Sequence, residues 1–68
     1  MPMTLRAFKR ELKAQGYDVV RTARGHFAVL NSSGGRVAFF AVVHGRTEKC
    51  VLDVYIAKVR KAIREDRR

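Results

Sequence analysis

Cysteine is almost missing from this chain: Cys50 is the only one in 68 residues. A lone thiol closes no internal disulfide and builds no zinc site of cysteines. It suits a reducing compartment, and its simplest role is that of a small apolar side chain buried near a helix start. Long apolar runs are also missing. No segment is apolar enough, over enough length, to span a bilayer. The opening MPMTLRAFKRELK has no apolar stretch of the secretory kind, so the expected location is the cytoplasm. Acidic residues are few, six Asp and Glu against fifteen Lys and Arg, and histidines number two, His26 and His44. No serine or cysteine stands beside a histidine in a triad-like pattern, and no glycine-rich phosphate loop precedes a helix. Metal ligands are too few for a site. The chain is therefore expected to need no metal and no cofactor.

What remains is a single small domain, residues 1–68, with a net charge of +9. A domain this short buries a modest core, and with disulfides excluded the common remaining support is dimerisation. The charge calls for a polyanion, because each phosphate neutralised releases counterions. Nucleic acid is the expected partner. A membrane surface would need a helix with a free apolar face, and both helices of this chain need theirs for the core.

The elements follow from periodicity. Leu5, Phe8 and Leu12 share one face of a helix over 5–15, capped by Thr4 and stopped by Gly16. Arg6, Lys9, Arg10 and Lys13 form a cationic stripe on another face. Residues 17–23, 26–30 and 36–43 have strand composition, separated by Arg24-Gly25 and by the loop Asn31 to Gly35. A second helix is predicted over roughly 48–65, capped by Thr47, with Leu52, Tyr55, Ile56, Val59 and Ile63 on its apolar face and Lys58, Arg60, Lys61 and Arg64 elsewhere. The final EDRR is expected to fray.

The predicted class is α+β, in the order α-β-β-β-α: a three-stranded antiparallel sheet with two helices on one face. The two helices are separated by the whole sheet, which gives no helix-turn-helix spacing. That ranks a dimeric DNA-binding regulator behind an RNA-binding protein. Alternation places Phe27 and Val29 on one sheet face and His26, Ala28 and Leu30 on the other. In the third strand Val37, Phe39, Ala41 and Val43 oppose Ala38, Phe40 and Val42, so neither of its faces is polar. The face without helices, that of Ala38, Phe40 and Val42 or their alternates, is thus expected to be covered by a partner, for example in a homodimer through the sheet or an edge strand.

His26 is the residue most suited to chemistry. It follows Arg24-Gly25 and opens a strand, with Arg21 nearby. An imidazole there can take the proton of a ribose 2′-hydroxyl while guanidinium groups hold the phosphate. The runs Gly16-Tyr17-Asp18-Val19-Val20-Arg21-Thr22, Arg24-Gly25-His26-Phe27 and Gly34-Gly35-Arg36-Val37 resemble the HicA family of toxin components. The closing Ala57-Lys58-Val59-Arg60-Lys61-Ala62 is similar to short HicA-like proteins of actinobacteria and their phages. The resemblance covers about residues 5–63. It implies a double-stranded-RNA-binding-domain-like fold and a metal-independent endoribonuclease acting on messenger RNA in a bacterial cell or phage-infected host. His26 matches the catalytic histidine and Gly25 the glycine beside it. Arg21, Arg24, Gly25, Arg6, Lys9, Arg10, Lys13, Lys58, Lys61 and Arg64 are the expected RNA contacts, and an antitoxin or a host protein the expected protein partner. Two positions depart from the pattern. Arg24 replaces a small residue, and Val43-His44-Gly45-Arg46-Thr47 lacks the usual proline, with His44 a possible match to a second histidine. A non-catalytic binding module of the same fold, gripping nucleic acid or a host protein, therefore stands as the alternative.

Overall fold

Thr4 opens the first helix, α1 (Leu5–Ala14), by accepting the Ala7 N–H on its hydroxyl at 3.1 Å. Gly16 closes it. With φ at +88°, its N–H bonds the Lys13 carbonyl and the next N–H, of Tyr17, bonds that of Leu12. This is a Schellman stop, and its apolar contact is present as well, since Leu12 and Tyr17 share the buried core. The computed structural model describes residues 3–68. Met1 and Pro2 belong to the expected 1–68 domain and to the stretch read for a secretory signal, and they lie outside the described residues.

The class is α+β, but the sheet has five strands rather than three. They are β1 (Met3–Thr4), β2 (Asp18–Ala23), β3 (His26–Leu30), β4 (Arg36–His44) and β5 (Lys49–Val51), in the spatial order β1-β5-β4-β3-β2, with every neighbouring pair antiparallel. The two additional strands are the shortest, too short for alternation to announce them. β5 corrects the predicted helix over 48–65. Lys49–Val51 pairs with Val42–His44, and α2 begins only at Asp53, running to Asp66. The residue before it, Leu52, has no side-chain cap and is exposed, so Thr47 is not the cap. Cys50 accordingly lies half-buried in a strand, shortly before the start of α2. Gly45 makes this pairing possible. Its N–H donates to the Glu48 carbonyl at 2.9 Å, and a Cβ there would lie 2.6 Å from that oxygen.

Both helices bury their stripes on the same side of the sheet. Phe8 and Leu12 from α1 and Ile56, Val59 and Ile63 from α2 join Phe27, Val29, Phe40 and Val51 in one core. Phe40 meets Phe8 edge-on at 5.2 Å and stacks on Phe27 at 5.4 Å. Arg60 on α2 clamps Glu11 on α1 with two hydrogen bonds, Nε to Oε2 at 2.8 Å and Nη2 to Oε1 at 2.6 Å. The chain end is anchored, contrary to the fraying expected of EDRR. Asp66 accepts the Tyr17 hydroxyl at 2.7 Å and the Asn31 side-chain amide at 3.4 Å. That carboxylate raises the Tyr17 pKa above 10.0, because ionising the phenol would lose the hydrogen bond and set two negative charges together.

Ala38, Phe40 and Val42 lie on the core side and are not the bare face, and Val37 also packs against the core. The exposed residues of β4's other face are Phe39, 57% accessible, and Val43, 42%, against 2% for Phe40. Two adjacent phenylalanines should therefore respond oppositely to truncation. Phe40→Ala is expected to cost about 3–5 kcal/mol, a large share of what a domain this size possesses, and Phe39→Ala about 1 kcal/mol or less. Denaturant unfolding followed by circular dichroism measures both, and equal losses would contradict the assignment of faces. The Glu11–Arg60 pair has a pH signature. Hydrogen bonding to the guanidinium holds the Glu11 carboxyl below its ordinary 4.5. A depressed pKa in the folded state stabilises above the unfolded value and is lost as pH falls through the folded one. Both groups are solvent-accessible, so Glu11→Gln should cost only about 0.5 kcal/mol near neutrality. The difference between the two proteins should fade as the pH drops below the usual glutamate range.

Candidate nucleic-acid interface

β2 and β3 meet in a turn that only a flexible residue can close. Gly25 sits at φ +73°, a left-handed conformation that side chains disfavour. Its carbonyl accepts the Val42 N–H at 3.0 Å, which fastens the turn to β4. Immediately before it, the register shifts between Arg21 and Ala23, a bulge of the kind that re-aims side chains at the end of a ladder. On the other side, the β4–β5 hairpin extends past the turn and sets His44 opposite Lys49.

Between these two hairpin ends lies an open recess of about 480 Å³ lined by Arg21, Arg24, Gly25, Val42, Val43, His44 and Lys49. Three permanent cations border it, and no carboxylate is among the lining residues. Arg21, Arg24, His44 and Lys49 are all exposed, so their side chains are available to a ligand. Guanidinium forks and a compact ammonium around a concave surface suit phosphate oxygens. Arg21, Arg24 and Gly25 were predicted as RNA contacts and are brought together here. Lys49 was not predicted. Assigning residues from 48 onward to a helix concealed that the hairpin returns it beside His44; Gly45 followed by a short β-prone run was the available signal.

The other expected contacts lie elsewhere. Arg6, Lys9, Arg10 and Lys13 line a groove of about 380 Å³ together with Leu5. Helical spacing sets them on the flank of α1 opposite Glu11, the residue that faces α2. Lys58, Lys61 and Arg64 stand exposed along α2. The predicted residues thus form three cationic groups rather than one site.

His26 is exposed and stands opposite Ala41. It does not line the cationic recess but the one beside it, about 480 Å³ in volume, with Thr22, Ala23, Phe27, Phe39, Phe40, Ala41 and Tyr55. The two recesses adjoin along the chain, since His26 follows Gly25 and Ala41 precedes Val42. Among the described residues no group of three or more His, Cys, Asp or Glu side chains could hold a metal ion, and no helix is long and apolar enough to cross a membrane. Comparison with protein-family models, curated proteins and solved structures finds no match to this chain.

Removing one phosphate contact should lower the slope of log affinity against log salt by about 0.7 for a single strand and 0.9 for a duplex. Arg24→Ala and Lys49→Ala are each expected to produce that drop in an RNA titration at several salt concentrations. An unchanged slope in both variants would place the phosphate contacts elsewhere.

Proposed function

We propose that this protein binds RNA by seating backbone phosphates in the recess between its two hairpin ends. The observation that carries this reading is the convergence of Arg21, Arg24 and Lys49 on one concave surface free of carboxylates, in a chain of net charge +9. The groove along α1 and the cations of α2 add field around the molecule and would strengthen non-specific attraction. Titration of the purified protein with RNA is the direct test; binding that is absent at low salt ends the proposal.

A second reading, that of a HicA-like ribonuclease, draws support from one feature. His26 is exposed and one residue from Gly25, at the border of the cationic recess. In that reading an RNA strand lies across the border with its phosphate on the arginines. His26 takes the 2′-hydroxyl proton, the freed oxygen attacks the adjacent phosphorus, and the 5′-oxygen leaves with a proton from water. The products are a 2′,3′-cyclic phosphate and a 5′-hydroxyl end. Such a protein would act in the cytoplasm of a bacterial cell or phage-infected host, restrained by an antitoxin. The bare sheet face would be available to that antitoxin, to a host protein or to a second copy.

The two readings separate cleanly. If the nuclease reading holds, His26→Ala lowers cleavage about 100-fold to 10,000-fold while leaving RNA affinity nearly intact. DNA of the same sequence stays uncut for want of a 2′-hydroxyl. Wild-type protein that binds RNA without cutting it leaves the binding module as the function.

A further inference from the structure

Phe39 takes no part in the hydrophobic core. It points away from the helices, is 57% accessible, and stands opposite Ala28 in the ladder. The residues around it make it more than a stray apolar side chain. The Arg36 guanidinium carbon lies 5.0 Å from the ring centroid, and Phe39 shares an open recess with His26, Thr22 and Ala41. Val43, four residues along the same strand, on the same face as Phe39 and about 13 Å away at ordinary strand rise, lines the cationic recess. An aromatic platform and a phosphate-binding surface are therefore neighbours on one end of one sheet.

We infer that the exposed face of Phe39 is a stacking platform for an unpaired nucleobase, so that the ligand is single-stranded RNA rather than a duplex. This rests on the proposed RNA binding and specifies its substrate class. The phosphates of the strand occupy the Arg21–Arg24–Lys49 recess, and a base next to them lies flat on the Phe39 ring. The Arg36 guanidinium, which lies over the ring in the free protein, swings aside to admit the base and then covers its far side, since a guanidinium plane stacks on bases as well as on phenylalanine. A base inside a duplex has no free face to offer. Charge selects the occupant: the apolar patch is flanked by cations, which suits a polyanion with flat apolar bases and opposes a second copy of a +9 chain. Stacking accepts any base, so affinity without strong sequence preference follows.

The test uses a labelled oligouridylate and the abasic strand of the same length, which keeps the phosphates and removes the bases. Fluorescence anisotropy compares wild type, Phe39→Leu and Phe39→Trp, with circular dichroism confirming that each variant is folded. Leucine keeps the apolar volume and removes the π face. Wild type should prefer the oligouridylate over the abasic strand by about 5-fold to 150-fold, the range for one stacked base. Phe39→Leu should bind both strands at the abasic level, Phe39→Trp should keep the preference, and the salt slope should be the same in all three proteins. Phe39→Leu retaining the wild-type preference overturns the platform and leaves the phosphate recess standing. Equal wild-type binding of the two strands also overturns it and leaves the face to a protein partner. Failure of wild type to bind either strand removes the RNA reading itself, and this inference with it.

Discussion

The packing of Phe40 against Phe8 and Phe27 determines which side of the sheet the helices occupy, and most other features follow from that choice. Each helix carries a narrow apolar stripe, too narrow to be shared between two surfaces. Both stripes are used up on one sheet face, in a core that includes Leu12, Val29, Val51, Val59 and Ile63. The opposite face is left without a layer. It keeps Phe39, Val43 and Val20 in contact with water. Large apolar side chains grouped on one exposed sheet face mark a surface that something binds.

Charge completes the arrangement. Two of the six carboxylates are spent on architecture: Glu11 joins the two helices, and Asp66 ties the end of α2 to Tyr17 and Asn31. No acidic side chain lines the recess between the hairpin ends, so Arg21, Arg24 and Lys49 stand there without an opposing charge in its wall. A phosphate is the ligand that such a surface is short of. The turn geometry that creates the recess depends on two glycines for different reasons, Gly25 for its positive φ and Gly45 for the close approach of the Glu48 carbonyl.

The elements legible in the sequence were those with period and punctuation. Thr4 and Gly16 marked α1, and the loop Asn31 to Gly35 marked the β3–β4 connection, where the Asn31 side chain accepts the N–H groups of Ser33 and Gly35. Strand alternation separated Phe40 from Phe39 but did not say which of the two meets the helices, because both faces of that strand are apolar; the face of Ala38, Phe40 and Val42 carries the core. What escaped was short. Lys49–Val51 pairs with β4 across a short hairpin and with β1 from the far end of the chain, and its three residues look like the lead-in to a helix. That one error hid Lys49 from the site. The chain end escaped for a related reason: nothing local in EDRR announces that Asp66 meets a tyrosine 49 positions earlier. The site was partly visible, because Arg21, Arg24 and Gly25 are close in sequence. The separation of the α1 stripe from them is a matter of tertiary placement, which composition does not carry.

The central claim is that RNA meets the end of the sheet between the hairpins rather than the helical layer. Nuclear magnetic resonance of the isotopically labelled protein, titrated with a short single-stranded RNA, tests it residue by residue. The account predicts that amide shifts concentrate at Gly25, His26, Val42, Val43, His44 and Lys49, with those of Lys58, Lys61 and Arg64 nearly still. Shifts confined to α2, or none at concentrations where binding is saturated, would contradict it.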